Sequence, residues 1–425
     1  MIAIIIGIAL VALALIGTPL FVVFGGLAIV LFALAGIDIS AVVIEISRIS
    51  TNSVLIAIPL FTFAGYILAE SGTPKRLIAL SRALVGWFKG GTAIVTLLVC
   101  AFFTSFTGVS GVTIIALGGI LLPMLIKDKY SERFSLGLLT TSGSIGLLFP
   151  PSLLLILYGV LANVSISKLF IAGIVPGLIL ILLFSIYCLK TGFVTAETEP
   201  FSFPKLWAAV KGAIWEIPLP ILVIWGIYSG TFTASEAAIL TALYAFIVEV
   251  FIYKDINIKH DVPRIIRSSM IVVGGIFVIL GSAMGLTNYL VDEQIPMRVL
   301  DWMKMYVKEK WLFLLLLNIF LIVVGAVLDV FSALIVVLPL MVPIAREFGI
   351  DPVHMAMIFL TNLEIGYNAP PAGINLFISS FRFRKPVMSL AKSALPFLFI
   401  MLAVLMLITY VPDLSLFLIK ILKVE

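Results

Sequence analysis

The sequence predicts an all-α polytopic membrane protein built from two inverted-topology repeats. Three observations support this. Apolar segments recur from end to end of the 425 residues, one proline-containing motif occurs twice at a fixed separation, and corresponding loops of the two halves differ in charge. Each repeat is expected to contain a re-entrant helical hairpin and a transmembrane helix broken by proline.

The composition is that of a membrane protein. Hydrophobic residues make up 62% of the chain and charged residues 12%, about half of the share typical of soluble domains. The net charge of +5 is spread over short loops without a basic stripe, so the expected surroundings are a lipid bilayer and not nucleic acid. Apolar spans are predicted at 2–16, 20–36, 54–70, 92–126, 134–163, 170–190, 212–230, 234–253, 268–290, 312–345, 353–381 and 393–412.

The N-terminal span and the cysteines carry no processing or redox signal. The first span has no charged region before it and continues past Gly17, which indicates a retained helix, not a signal peptide. Cys100 and Cys188 lie within apolar runs and are expected to pack as small hydrophobic residues.

A proline pair marks an internal repeat. Pro150-Pro151 lies in "IGLLFPPS" and Pro370-Pro371 in "IGYNAPPA", 220 residues further on. At the same separation Gly146 matches Gly366 and Pro123 matches Pro343. Because proline inside a helix costs roughly 3 kcal/mol, two such pairs in register predict two related halves, each with a broken helix.

Loop charges predict that the halves are inverted. Segment 71–90 carries four cations and no acid, whereas its counterpart 292–310 carries four of each. Loop 126–133 is net +1 and its counterpart 346–352 is net −1. The positive-inside rule places these two first-half loops in the cytoplasm, their second-half counterparts outside, and both chain termini outside. Two further loops are basic and are predicted to be cytoplasmic: 254–267, with four cations and two acids, and 382–392, with four cations and no acid.

Two apolar segments are too long for one crossing. Segments 92–126 and 312–345 have about 35 residues each, whereas roughly 20 suffice to cross a bilayer. The ends of each segment must also lie on one side of the membrane. They are therefore predicted to enter and turn back as hairpins, with tips in "TSFTGVSGVT" and "GAVLDVFSA".

Where a membrane helix is broken, its backbone carbonyl oxygens become available to bind a cation, and the N-terminus of the following helix becomes available to bind an anion. The paired breaks facing polar hairpin tips predict a secondary transporter with two Na⁺ sites; the alternative is a pair of purely structural kinks. The candidate ligands of the first site are Ser105, Ser110, Gly143, Gly146 and Pro150. Those of the second site are Gly325, Asp329, Thr361, Gly366 and Asn368. Candidate substrate contacts are Thr104, Thr113, Ser144, Ser332 and Asn375.

The remaining polar residues suggest different roles. Asp329 is the only ionisable residue of 312–345, and an acid at that depth favours a cation ligand over a structural hydrogen-bonder. Glu364 beside the second break is either functional or paired within the bundle. Glu236 follows Thr233 at capping-box spacing, and His260 and His354 are expected to have surface roles. The chain has no P-loop, H-E-x-x-H or Cys/His cluster, so it is not expected to be an enzyme.

The motifs "IGTPLFVVFG", "IPLFTFAGYILAESG", "SFTGVSGVT", "IGLLFPPS", "GAVLDVFSALIVVLPLMVPIA" and "IGYNAPPAGINLF" resemble the large membrane subunit of TRAP (tripartite ATP-independent periplasmic) transporters. Two departures from that family are Asn368-Ala369 before the second proline pair and Thr-Gly-Val-Ser in the first hairpin. The resemblance implies import of an organic anion, such as a C4-dicarboxylate or a sugar acid, across the bacterial inner membrane. It further implies Na⁺ coupling, an elevator-type scaffold and transport domain, a small four-helix membrane subunit and a periplasmic solute-binding protein.

The predicted organisation follows from the repeat. The amphipathic segments 74–90 and 296–310 would be arm helices linking scaffold to transport domain. The alternatives are a self-sufficient Na⁺/dicarboxylate carrier without a binding protein and, more distantly, an intramembrane enzyme or a structural subunit. The predicted units are N-terminal scaffold helices at 1–53, a first repeat at 54–190, connecting scaffold helices at 191–267, a second repeat at 268–412 and a tail at 413–425.

Overall fold

The computed structural model describes residues 18–195, 200–370 and 373–422. The predicted helix 2–16 and Pro371 lie outside these residues. The described part of the chain consists of helices and turns without a strand, which confirms the all-α class. Eight of its helices are long and apolar enough to cross a membrane, or nine if the bent pair around Pro150 is one span.

The first half contains a helix pair followed by a broken helix. The pair meets at Gly108, whose φ of +66° is the left-handed conformation that glycine adopts without strain. The broken helix bends by 45° at the proline pair. The helices up to this point are α1 (Leu20–Leu34), α2 (Ser40–Thr51), α3 (Ala57–Glu70), α4 (Thr73–Val85), α5 (Gly91–Thr107), α6 (Ser110–Lys127), α7 (Glu132–Ile145) and α8 (Leu153–Ala162).

Connecting helices lead to a second half with the same element order. They are α9 (Ile166–Ala172), α10 (Ile174–Thr195), α11 (Phe203–Gly212), α12 (Pro218–Tyr228) and α13 (Ala234–Ile247). The second half comprises α14 (Asp261–Asp292), α15 (Ile295–Tyr306), α16 (Lys310–Val327), α17 (Val330–Glu347), α18 (Pro352–Tyr367), α19 (Ile374–Phe383), α20 (Val387–Tyr410) and α21 (Asp413–Leu422). In both halves a long helix is followed by a short amphipathic helix, a helix pair and a broken helix. Their inversion relative to a bilayer stays a prediction.

Several predicted boundaries differ from the structure. The sequence missed the short helices α2 and α11. The predicted tail 413–425 is helical up to Leu422, and the predicted loop 254–267 becomes helix α14 from Asp261. These segments mix polar and apolar residues, so a search for continuous apolar runs does not detect them.

The broken helices occupy the centre of the fold. Every residue from Phe134 to Ile145 in α7 and from Val353 to Tyr367 in α18 is buried. Large hydrophobic side chains are instead exposed on outer helices, including Ile271 of α14 and Phe399 of α20, as expected for surfaces facing lipid. The polar middles of the broken helices are thereby enclosed by protein.

Candidate functional site

The first hairpin tip packs directly on the first break. An added Cβ at Gly146 would lie 2.2 Å from Ala101 O and 2.8 Å from Ser105 N, so only glycine permits this approach. Thr104 Oγ1 donates to Gly143 O at 2.7 Å and is also 2.7 Å from Thr113 Oγ1. The tip residues predicted from the sequence therefore contact the break that they were expected to face.

The second hairpin repeats this contact at the 220-residue separation. An added Cβ at Gly366 would lie 2.6 Å from Gly325 Cα and 2.7 Å from Ala326 N. Gly325 lies 220 residues after Ser105 and is its counterpart in the repeat. Both helix pairs therefore contact the neighbouring break at equivalent positions. Tyr367 OH, which the sequence did not single out, accepts a hydrogen bond from Val330 N at this tip.

A buried hydrogen-bonded chain joins the two halves. Ser110 Oγ donates to Asn375 Oδ1 at 2.7 Å, and Asn375 Nδ2 donates to Asn368 Oδ1 at 3.2 Å. Asn368 Nδ2 then donates to Ser144 Oγ at 3.0 Å. The sequence placed Ser110 and Asn368 in separate sites, whereas the structure links them through Asn375. The bond between Asn375 and Asn368 also spans the second break, because Asn368 lies before the break and Asn375 lies after it.

Asp329 is the N-cap of helix α17. Its Oδ1 accepts hydrogen bonds from Phe331 N at 3.0 Å and Ser332 N at 3.1 Å, and its Oδ2 accepts one from Ser332 Oγ. A carboxylate at this position satisfies free N–H groups and interacts favourably with the helix dipole. The structural alternative for Asp329 therefore has direct support. Asp329 also borders a cavity of about 460 Å³ between the α1 end and α14.

Buried oxygens without hydrogen-bond partners lie near both breaks. In the second half they are Thr361 Oγ1 and both carboxyl oxygens of Glu364, and in the first half they are Ser142 Oγ and Ser152 Oγ. The interpretation of Glu364 as a member of a pair within the bundle is wrong, because neither oxygen has a partner. Thr361, Glu364 and Asn368 follow one another at helical spacings of three and four, so they share one face of α18. Oxygen atoms of this kind suit a hard cation such as Na⁺.

Three helix N-termini at the breaks and first tip carry no side-chain cap in the described part of the chain. They are those of α6 after Val109, α8 after Ser152 and α19 after Gly373. Their free N–H groups and positive dipole ends suit an anionic group. Helix α17 differs, since the Asp329 carboxylate already occupies that position.

The structure also places the capping residues, His354 and the two cysteines. The capping box of α13 is confirmed, because Thr233 N donates to Glu236 Oε2 at 2.8 Å and Glu236 N donates to Thr233 Oγ1. The surface role of His354 is wrong, since its side chain is buried and its Nδ1 lies 3.3 Å from Ser415 Oγ. Cys100 and Cys188 are both free and buried.

An ion cluster fixes the amphipathic helix α4 to the neighbouring helices. Arg76 pairs with Glu216, with Glu249 at 2.8 Å and with Asp255 at 2.6 Å. Burial opposes the charge of Arg76, but the hydrogen bonds to Asp255 and Glu216 and the charge of Glu249 outweigh it and raise the pKa of Arg76. Thr73 Oγ1 also donates to Glu249 Oε1 at 2.7 Å. The amphipathic helix is therefore held at one end by charge.

The broken helices, the hairpin tips and the polar chain define a membrane transport protein, because irregular polar backbone at membrane depth is a feature of carriers. The family can be stated more closely. Residues 5–414 match the family described as "Tripartite ATP-independent periplasmic transporter, DctM component", and the chain belongs to it. This match confirms the resemblance found in the sequence.

Known relatives cover nearly the whole chain. It is 34% identical over 424 residues to the C4-dicarboxylate TRAP transporter large permease protein DctM of Rhodobacter capsulatus, covering 96% of each chain. It is 31% identical over 366 residues to the ectoine TRAP transporter large permease protein TeaC of Halomonas elongata, covering 86% of each. The fold is similar to the YdaH transporter of Alcanivorax borkumensis, with a TM-score of 0.59, 14% identity and coverage of 92% of this chain and 97% of that one.

Proposed function

We propose that this chain is the Na⁺-coupled carrier subunit for an organic anion, a C4-dicarboxylate in the first instance. The observation that carries this proposal is the pair of helix breaks, each packed on a hairpin tip and flanked by buried oxygens without partners. The R. capsulatus relative, similar over nearly the full length, is named for C4-dicarboxylates. Its partners would be a small four-helix membrane subunit and a periplasmic solute-binding protein, in the bacterial inner membrane.

The two breaks suit two Na⁺ ions. At the first break, Ser105, Ser110, Gly143, Gly146 and Pro150 are the proposed ligand residues; at the second, Gly325, Asp329, Thr361, Gly366 and Asn368. A bound Na⁺ would supply positive charge beside the uncapped N-termini of α6, α8 and α19. The polar chain from Ser110 to Ser144 lies between the two breaks, so occupancy of one would alter hydrogen bonds at the other.

The polar side chains and a basic vestibule suit an anionic substrate. Thr104, Thr113, Ser144, Ser332 and Asn375 remain the proposed substrate contacts. A cavity of about 540 Å³ bordered by Ile115, Ser380, Arg382 and Arg384 lies at the end of α19. This end is on the cytoplasmic side in the predicted topology, where two guanidinium groups would attract a carboxylate leaving the site.

An elevator motion fits the arrangement of the arm helices. Helices α4 and α15 occupy matching positions before the two helix pairs, and Arg76 fixes α4 to Glu216 and Glu249. A transport domain of α5–α8 and α16–α19 would then move against a scaffold of the remaining helices. Both chain termini would lie on the periplasmic side.

Uptake by reconstituted protein tests this proposal. The chain is placed in proteoliposomes with the small membrane subunit and the solute-binding protein of its own operon, and uptake of radiolabelled succinate is measured. Accumulation should require an inward Na⁺ gradient and all three proteins. Equal uptake with choline in place of Na⁺ would refute the coupling. Uptake by the chain alone would instead favour a self-sufficient carrier.

A further inference from the structure

A cleft opens between the first turns of the broken helix α7 and of helix α20. Its volume is about 270 Å³, well above what a single water needs. In the described part of the chain its lining carries three cations, one acid and two serine hydroxyls, which belong to Arg133, Lys385, Lys392, Glu132, Ser389 and Ser393. The proposed transport cycle does not use this cleft.

Two of the three cations are not neutralised by an acid. Lys385 is paired, since its Nζ lies 2.8 Å from Oε1 of Glu132. Arg133 donates only to a neutral group, the carbonyl oxygen of Lys392 at 3.3 Å. The ammonium group of Lys392 makes no ion pair or hydrogen bond in the described part of the chain, and both side chains are exposed. Three cations against one acid leave the cleft with a net charge of +2.

Helix α20 adds the positive end of its dipole to this charge. The helix begins at Val387 after Pro386, and no side chain caps its N-terminus. Ser389, in the first turn, lines the cleft. A helix N-terminus favours an anion, so the helix dipole and the two unneutralised cations favour the same kind of ligand.

An exposed apolar stripe runs from the cleft along α20. Met388, Leu395 and Phe399 are 62%, 42% and 67% exposed. Lys392 follows Met388 by four residues and precedes Leu395 by three, so these side chains share one face of the helix. Exposed apolar side chains on a membrane helix face lipid tails. A ligand with an anionic head and an apolar body matches a basic cleft that continues into such a stripe.

We propose that this cleft binds the phosphate headgroup of an anionic phospholipid, whose acyl chain lies along the stripe of α20. Arg133 and Lys392 contact the phosphate, and the hydroxyl group of Ser389 donates to one of its oxygens. The predicted topology puts this end of α20 at the cytoplasmic surface, where basic pockets between membrane helices suit such headgroups. A headgroup held here would join the first turns of α7 and α20, whichever solute the protein carries.

Native mass spectrometry of the purified full chain tests this inference. Dioleoylphosphatidylglycerol competes with dioleoylphosphatidylcholine, and the fraction of protein that retains each lipid is measured. The wild-type chain should retain phosphatidylglycerol selectively. The double variant Arg133→Gln/Lys392→Gln should bind it roughly tenfold more weakly or worse, since each cation near an anionic headgroup contributes to the affinity. Equal retention of the two lipids by the wild-type chain would overturn the proposal.

A matched pair of substitutions separates the cleft from general surface charge. Lys259→Gln/Arg267→Gln also removes one lysine and one arginine, at exposed positions on the same predicted side of the membrane. This control should bind the lipid like the wild type. An equal loss of binding in both double variants would overturn the proposal.

A charge introduced into the cleft tests the position of the phosphate. Ser389→Glu places a carboxylate in the cleft and should abolish the selective retention of phosphatidylglycerol, whereas Ser389→Gln should keep most of it. Glutamate suits the first turn of a helix, so both variants should melt like the wild type. Undiminished retention in Ser389→Glu, or full displacement of the lipid by inorganic phosphate, would overturn the proposal.

Discussion

Asn368 donates a hydrogen bond from Nδ2 to Ser144 Oγ over 3.0 Å. The two residues precede the breaks of the two halves and are both fully buried. Asn368 also donates to Glu364 O at 2.8 Å and accepts from Asn375, so its amide is used by three partners. This one side chain connects both broken helices and the far side of the second break.

Replacing Asn368 by leucine should disrupt this connection. Leucine has a similar size but removes one hydrogen bond from each of the buried residues Ser144 and Asn375, which keep only their bonds to Thr141 O and Ser110 Oγ. Leaving the buried Nδ2 group of Asn375 without its acceptor costs about 1–3 kcal/mol. Na⁺-dependent uptake should fall, and the Na⁺ concentration for half-maximal uptake should rise. Asn318→Leu is the control, because Asn318 is also a buried amide but bonds Thr409 and Asn362, which are not members of the polar chain from Ser110 to Ser144. An equal change of Na⁺ dependence in both variants would contradict the role of Asn368.

The close approach of Gly366 and Gly325 predicts a steric effect. In Gly366→Ala the new methyl group would lie 2.5–2.7 Å from backbone atoms of Gly325 and Ala326, and neither helix can yield by a side-chain rotation. The variant should lose about 1–3 kcal/mol of stability, seen as a lower melting temperature in detergent. Gly274→Ala in α14, where nothing lies within 4 Å, should melt like the wild type or slightly higher. Equal melting of both variants would show that the helices are not in contact here.

The helix breaks and the two helix pairs could be predicted because proline and glycine act locally, whereas the inversion inferred from loop charge stays a prediction. A proline pair removes two neighbouring backbone donors, so the pairs beginning at residues 150 and 370 marked both breaks without any tertiary information. Single prolines were no such guide, because Pro123 and Pro343 lie inside the continuous helices α6 and α17. Short amphipathic helices such as α11 escaped the same reasoning, since they lack a continuous apolar run. Their positions depend on the surfaces that they cover.

Contacts between the halves could not be predicted in the same way. Ser110 and Asn375 are 265 residues apart, and nothing in either local sequence specifies the other. Tyr367 carries no signal that its hydroxyl would meet Val330. The cap formed by Asp329 did have a sequence signal, since aspartate is a preferred N-cap residue. Because Asp329 lies within an apolar segment, the sequence nevertheless favoured its interpretation as a cation ligand.

The variant Asp329→Asn separates the two roles of this residue. Asparagine caps helices about as well as aspartate, so the variant should fold and melt normally. If Asp329 is also a Na⁺ ligand, loss of its charge should raise the Na⁺ concentration needed for half-maximal uptake. An unchanged Na⁺ titration would remove Asp329 from the ion site and leave it a cap alone.

The ion cluster around Arg76 predicts that the stability of the protein depends strongly on the charge of this one side chain. Arg76→Gln would leave Glu216 and Glu249, which are 1% and 0% exposed, as buried acids without their cation. Breaking such a pair on one side costs about 3–5 kcal/mol, which should lower the melting temperature markedly. Lys75→Gln removes an exposed cation from the same helix and should have little effect. Similar melting of the two variants would show that the cluster does not hold helix α4 in place.

We propose that the two helix breaks hold Na⁺, and direct ion binding tests this most closely. Equilibrium binding of radioactive sodium to the purified chain is measured in detergent, with choline maintaining ionic strength. Binding should be saturable, approach two Na⁺ per chain and weaken in Asn368→Leu. The absence of saturable binding, in protein that retains its wild-type melting temperature, would contradict it.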